Sequence, residues 1–422
     1  MAFRFVHTAD IHLDSPLRTL ALREPGLAEL IGGATRKAFS AVIELCLAEQ
    51  VDALLIAGDV FDNANPSSAS QKQLYRFLQQ ARERMPQLDL VIVAGNHDSP
   101  GRLEAPGPLL EAHGTRVIGS VPRQEDGSID VERLVLPLHG AGGAVRAWCL
   151  AIPFLRPGDV PRSDEEGDPY LNGIALLYRQ ALELALARRQ PGQAIVAMGH
   201  CHMVDGQMSN DSERRIVIGG TEMLPAGIFG EQIAYAALGH LHLAQTVGQR
   251  QQIRYCGSPI PLSFAEVAYQ HQVLRIELDG EGVAEGACTV TPLSIPRAVP
   301  LLRVPAKPAP LSEVLAELAA LELPEAPAEQ QPLLEVRVRL DAPEPGLRSR
   351  VEAALEGKPV RLAKIETSSA ARGVADNDAI MTLDQLDKLK PDDIFRQLYQ
   401  QKYGSDAPAD QLQAFAELMQ SA

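Results

Sequence analysis

Residues 53–62 read Ala-Leu-Leu-Ile-Ala-Gly-Asp-Val-Phe-Asp. The apolar run has the length and composition of a strand buried on both faces. Gly58 permits a tight turn and a close backbone approach. Asp59 then emerges where the strand ends. A carboxylate is costly to bury unpaired, so Asp59 needs a cation or several donors around it. In layered α/β folds ligands gather in the crevice at the carboxyl ends of strands.

Working outward, Ala34–Glu49 has helical spacing, with Ala38, Val42, Leu45 and Cys46 on one side, and Ser70–Arg84 reads as the next helix. Phe3–His7 and Leu90–Ala94 read as neighbouring strands. Strand, loop and helix thus repeat, which predicts an α/β layered fold. Later strands at 134–137, 147–152, 194–198, 234–238, 253–255 and 272–276 are less regularly separated by helices. A mixed sheet, or two packed sheets, is expected there.

Four more polar motifs follow apolar runs. They are Asp10-Ile11-His12, Gly95-Asn96-His97-Asp98, Gly199-His200 and Gly239-His240-Leu241-His242. Asp10 and His12, like His240 and His242, stand two apart, and on extended chain such residues point the same way. Asp10, His12, Asp59, Asn96, His200, His240 and His242 are therefore candidate ligands for a pair of divalent cations. Asp59, with two oxygens, is expected to bridge them. A phosphate ester is hard to hydrolyse without such a pair, which activates water for in-line attack. His97, not needed as a ligand, is expected to protonate the leaving oxygen or steady charge on phosphorus. Mixed oxygen and imidazole donors favour Mn, admit Fe or Zn, and suit Mg less well.

Bulk properties limit the alternatives. The 422 residues exceed one ordinary core. No apolar run is long enough to span a bilayer, no basic leader precedes an apolar stretch, and the five cysteines are widely spaced without a C-x-x-C. A cytoplasmic protein is expected, with no membrane contact. The net charge of −15 argues for weak, salt-sensitive binding to nucleic acid by this chain alone. Arg102, Arg156, Arg162, Arg214 and Arg215 are candidates for a local basic groove.

Prolines cluster between 286 and 310, a crossing into a second unit. There Leu311–Leu323 and Gly346–Glu356 read as helices, and Leu334–Leu340 and Val360–Thr367 as strands. Three short helices are expected at Leu383–Leu389, Pro391–Tyr403 and Ala407–Met419. Their apolar residues Ile394, Phe395, Leu398, Phe415 and Leu418 are candidates for docking a partner. Three domains are expected, at 1–285, 286–370 and 371–422.

The motif set resembles the calcineurin-like metallophosphoesterase superfamily. His7-Thr8-Ala9-Asp10-Ile11-His12, the Gly-Asp-Val-Phe-Asp stretch, Ala237–His242 and Arg254–Phe264 narrow the resemblance to the SbcD nuclease subunits. That resemblance implies a layered α/β/β/α fold with a small α+β capping domain and a helical C-terminal tail. It groups Asp10, His12, Asp59 and His242 on one metal and Asp59, Asn96, His200 and His240 on the other, with His97 catalytic. It implies a Mn-dependent 3'-5' double-strand exonuclease and single-strand or hairpin endonuclease acting on DNA ends. It further implies a homodimer within a heterotetramer containing an SbcC-like SMC-type ATPase, whose coiled-coil base the tail would dock. Asp62 stands where related eukaryal and archaeal nucleases carry a second catalytic histidine, so no role is carried to it. Two other readings compete. One is a nucleotide or phosphoprotein phosphoesterase on the same scaffold, which would need neither accessory module nor apolar tail. The other is a non-catalytic DNA-clamping protein, which would not need the intact ligand set.

Overall fold

The apolar run is strand β2 (Ala53–Ala57), and every residue in it is fully buried. It pairs in parallel with β1 (Phe3–Thr8) and β3 (Asp89–Val93), and β4 (Thr115–Ile118) continues the parallel run. On the other side β11 (Gln272–Leu278) and β12 (Cys288–Ser294) are antiparallel, giving six strands in the order β12-β11-β1-β2-β3-β4. The sheet therefore continues past residue 285 to Ser294. A second six-stranded sheet holds β5 (Val135–His139), β6 (Val145–Ala151), β7 (Ala194–His200), β8 (Tyr235–Gly239), β9 (Gln245–Val247) and β10 (Arg250–Tyr255). Its order is β5-β6-β7-β8-β10-β9, and β6, β7, β8 and β10 are parallel.

The structure, a computed structural model, describes residues 2–13, 25–204, 206–207, 223–284, 286–327, 330–340, 342, 344–368 and 408. By backbone contacts the chain divides into two compact units, residues 1–338 with 345–366, and residues 339–344 with 367–422. Both six-stranded sheets lie within the first unit. The three helices expected after residue 382, with Ile394, Phe395, Leu398, Phe415 and Leu418, lie outside the described residues, as do Arg214 and Arg215.

Alternation along the first sheet builds the layers. Leu54, Ile56, Leu90 and Ile92 join Phe39, Val42, Ile43 and Cys46 of helix α1 (Pro25–Ala48) and Leu74, Phe77 and Leu78 of α2 (Ser68–Arg84) in one apolar cluster. Leu55, Ala57, Val91 and Val93 face the other way, into a core shared with Cys149, Ala151, Val196 and Met198 of the second sheet. Short helices α3 (Pro100–Glu104) and α4 (Gly107–Glu111) follow β3. Helix α5 (Pro169–Arg188), capped by Asp168, covers the second sheet with Ile174, Leu177, Tyr178, Ala181 and Ala185. The result is the expected α/β/β/α sandwich. Each fully buried Leu or Ile contributes ~1.5–3 kcal/mol, so the sheets are held together largely by this central core.

After β12 comes a three-stranded sheet of β13 (Leu301–Pro310), β14 (Leu333–Arg339) and β15 (Arg361–Ser368), in that order. Helices α6 (Leu311–Ala320) and α7 (Leu347–Ala354) bury Val314, Leu318 and Val351. The proline-rich crossing is thus partly a strand. Its prolines are tolerated because β13 lies at the sheet edge, where a missing N–H breaks no ladder. Among the described residues all five cysteines are free, and no helix is long and apolar enough to cross a membrane.

Candidate metal centre

The two sheets bring the carboxyl ends of β1, β2, β3, β7 and β8 to one place. Asp10, Asp59, Asn96 and His240 sit just beyond their strands, whereas His200 is the last residue of β7. The backbone there is strained. Among the described residues five non-glycine residues have positive φ, and four are Asp10 (51°), His12 (46°), Asp59 (48°) and His240 (105°). Such conformations cost ~1–3 kcal/mol each and persist where the surroundings impose them. Here the amides of Asp10 and His12 donate to the carbonyls of Gly58 (3.1 Å) and Asp59 (3.0 Å), and the His240 amide donates to both Asp10 oxygens (2.9 and 3.1 Å). Gly58 (φ +89°) is needed as glycine, because a Cβ would lie 2.2 Å from His200 Nδ1.

Second partners orient the imidazoles. His200 donates from Nδ1 to the Ala57 carbonyl (3.0 Å), which turns Nε2 toward Asp59 Oδ2 (3.3 Å) and Asn96 Oδ1 (2.9 Å). His242 donates from Nδ1 to Glu266 Oε1 (2.9 Å), a fully buried carboxylate. His12 has Nδ1 3.3 Å from Asp62 Oδ1 and Nε2 3.6 Å from Asp59 Oδ2. Hydrogen-bonded partners such as those of His200 and His242 fix the tautomer of a metal-binding histidine and raise its basicity.

Three groups of donor atoms lie within 4.8 Å of one another: Asp10, His12 and His242; Asp10, Asp59 and His200; and His12, Asp59 and His97. His12 Nε2 and His240 Nε2 are buried without a hydrogen-bond partner. Buried polar atoms are rarely left so, and an electrophile among two carboxylates and four imidazoles would satisfy both. The residues fit a pair of divalent cations.

Charge within the cluster is coupled. Burial opposes ionisation of Asp59, but His200, His12 and His97 outweigh it and hold the carboxyl below the usual range. Burial also opposes protonation of His200, yet the Asp59 carboxylate prevails and lifts it to about 9. Without a cation this ion pair stabilises the fold fully below about 6.5, and the contribution is lost as pH rises through about 9. A cation must displace that proton. Metal affinity is therefore expected to rise with pH up to about 9, with proton release. Mn2+ calorimetry at two pH values, in buffers of different ionisation enthalpy, checks both; affinity that falls as pH rises would refute it.

His97 stands at the edge of the cluster, half-buried, its ring 5.0 Å from that of His12. Its Nδ1 donates to the Asp62 carbonyl (2.7 Å) and its amide to Asp59 Oδ1 (2.9 Å). Of the arginines, Arg156 lies 5.3 Å over the Phe154 ring, itself 6.4 Å from the His200 ring. Arg102 is exposed at the end of α3, and Arg162 lines a groove with Arg123 and Val160. Neither has a described contact with the cluster.

Three positioning residues carried little signal of that role in the sequence pattern. Besides Asp62 and Glu266, Asp98 is buried and accepts from the amides of Val60 (3.1 Å), Phe61 (2.8 Å) and Gly95 (2.8 Å), tying the β2 loop to the β3 loop. Burial, then the charge of Asp59, pushes its carboxyl up to about 6. Only its place beside His97 in the Gly-Asn-His-Asp run hinted at it.

Comparison with known proteins matches residues 3–244 to the calcineurin-like phosphoesterase family. Residues 297–403 match a family described as the type 5 capsule protein repressor C-terminal domain. The D component of the nuclease SbcCD from Rhodobacter capsulatus is 40% identical over 366 residues, covering 85% of this chain and 86% of that protein. The protein of the same name from Escherichia coli K12 is 31% identical over 381 residues, covering 87% and 86%. That from Bacillus subtilis is 31% identical over 278 residues, covering 65% and 66%.

Proposed function

The chain belongs to the calcineurin-like phosphoesterases and, among them, to the SbcD nuclease subunits, and we propose on that premise that it hydrolyses DNA phosphodiester bonds with two divalent cations. The observation that carries the reading is the buried cage itself, in which His12 Nε2 and His240 Nε2 have no hydrogen-bond partner. Asp10, His12, Asp59 and His242 would hold one cation, and Asp59, Asn96, His200 and His240 the other. When bound, the pair supplies Lewis acidity to the phosphate oxygens and an activated water.

The side chains supply the rest. Asp59 is held by the His97 amide and keeps its charge despite burial, as a bridging carboxylate must. His97 is anchored through Nδ1 on the Asp62 carbonyl, so in its imidazolium form Nε2 is the atom that delivers a proton to the leaving oxygen, leaving the neutral ring with its Nδ1 proton on that carbonyl. Among the described arginines, Arg156, near His200 through Phe154, is the one best placed to meet a DNA phosphate.

In finer terms, the protein is a Mn-dependent 3'-5' double-strand exonuclease and single-strand or hairpin endonuclease. It works as a homodimer with an SbcC-like SMC-type ATPase in DNA end processing. The residues up to 294, where the first sheet ends, carry the chemistry, those from there to 370 cap it, and 371–422 dock the ATPase. Family membership supports these assignments.

The test uses the full chain with Mn2+, given an end-labelled DNA hairpin and, separately, p-nitrophenyl phosphate. Hairpin cleavage abolished by a chelator is the expected result. Turnover of the monoester with the hairpin left intact would replace this reading by a small-substrate phosphoesterase.

A further inference from the structure

The stretch Cys256-Gly257-Ser258-Pro259-Ile260-Pro261-Leu262-Ser263-Phe264-Ala265-Glu266 carries part of the family resemblance yet contributes no metal ligand. It crosses from the end of β10 toward β11, touching His242 through Ser258 and Glu266 and the three-stranded sheet through Phe264. We propose that it is a strap by which the three-stranded sheet sets the position of His242: Glu266 is the positioning residue and Phe264 the pin. The inference rests on reading His242 as a metal ligand.

Three sets of contacts define the strap. At its start the Ser258 amide donates to the His242 carbonyl (3.1 Å). Gly257, at φ +77°, makes that approach possible, since a Cβ there would lie 2.7 Å from the same carbonyl oxygen. At its end Glu266 is fully buried. One carboxylate oxygen accepts from His242 Nδ1 (2.9 Å) and the other from the Leu262 amide (2.8 Å). The ring of His242 is thereby fixed to the strap's own backbone. Residues Phe264–Glu266 form a 3-10 turn, capped where Ser263 Oγ accepts from the Ala265 amide (3.1 Å).

The third set ties the turn to the sheet. Phe264, 4% exposed, packs with Val299, Leu301 and Leu333 in an apolar cluster of its own. Leu301 begins β13 and Leu333 begins β14. The Arg297 guanidinium donates to the carbonyls of Val267 (2.9 Å) and Tyr269, just past the turn. The residue gripped by the sheet is thus two positions from the residue that grips the ligand, on a single capped turn. Packed interiors do not deform continuously, so displacing Phe264 carries Glu266 with it. The position and basicity of His242 then follow.

Mn2+ titration of the full chain, by calorimetry and by the free-ion EPR signal, tests this without reference to cleavage. Wild type should bind two ions. Glu266→Gln and Phe264→Ala should each weaken one of them ~10–100-fold, the size expected for loss of an outer-sphere partner, and leave the other unchanged. Phe264→Leu, which refills the cluster, should restore most of the affinity. Circular dichroism melts establish that each variant is folded; if Phe264→Ala is not, Leu333→Val thins the same cluster and replaces it. Full affinity at both sites in the Phe264 or Leu333 variant overturns the strap, as does equal weakening of both sites. A wild-type chain that binds two ions but cuts no DNA would remove the nuclease reading and leave the strap standing.

Discussion

Replacing His97 with alanine is expected to slow hairpin cleavage ~10²–10⁴-fold, the loss typical of a missing general acid, with both cations still bound. Two contacts make the side chain separable from the cage. Asp59 is held by the backbone amide of His97, which alanine keeps. The imidazole is held by the Asp62 carbonyl, outside the ligand set. The geometry also admits the opposite outcome, because His97 forms a possible donor group with His12 and Asp59. Metal content measured beside single-turnover rates separates the two roles. One ion lost in the variant would make His97 a ligand, and an unchanged rate with two ions would remove it from the chemistry.

Much of this architecture was legible in the chain because the informative strands are buried on both faces. Leu90–Ala94 and Ala194–Met198 read as plain apolar runs, and the polar residues beyond them stood out by contrast. Elements without that contrast were missed. Helix α5 has Leu and Ala nearly all round, so its period is faint, although Asp168-Pro169 marks its start. Strands β4 and β9 are four and three residues long, below what periodicity resolves. In β12 no residue is fully buried, and β13 carries prolines that argue against a strand unless its edge position is known.

At the site the candidate ligands were legible and their supports were not. Asp10 and Asp59 tolerate positive φ better than most residues, but nothing in His240 announces φ 105°. Asp62 and Glu266 act on His12 and His242 through pairings across the fold, Glu266 at a separation of 24 residues. Ligand type is a property of one residue and its neighbours, whereas ligand orientation depends on where a second loop lands.

Gly239→Ala is expected to be the most damaging change of a single carbon. A Cβ at Gly239 would lie 1.9 Å from the Ala57 carbonyl oxygen and 2.9 Å from His200 Nδ1. The first neighbour is backbone at the end of β2, so no rotamer change relieves it. That carbonyl is also the acceptor that orients His200 (3.0 Å). Relief requires β8 to move away from β2, and those strands belong to different sheets. Asp59 follows β2 while His240 and His242 follow β8, so the movement widens the cage between its two halves. Overpacking of this kind costs ~1–3 kcal/mol in stability, whereas ~1 Å of misplacement costs ~10²-fold in rate. The variant should therefore melt lower yet remain folded, bind Mn2+ weakly at both sites, and lose cleavage out of proportion to its stability. Melting curves with and without Mn2+ measure this directly, because an ion that binds only the folded chain raises the midpoint. A variant with the full Mn2+-induced rise of wild type would mean that the sheets tolerate the methyl and that close contact between β2 and β8 is not what sets the metal cage.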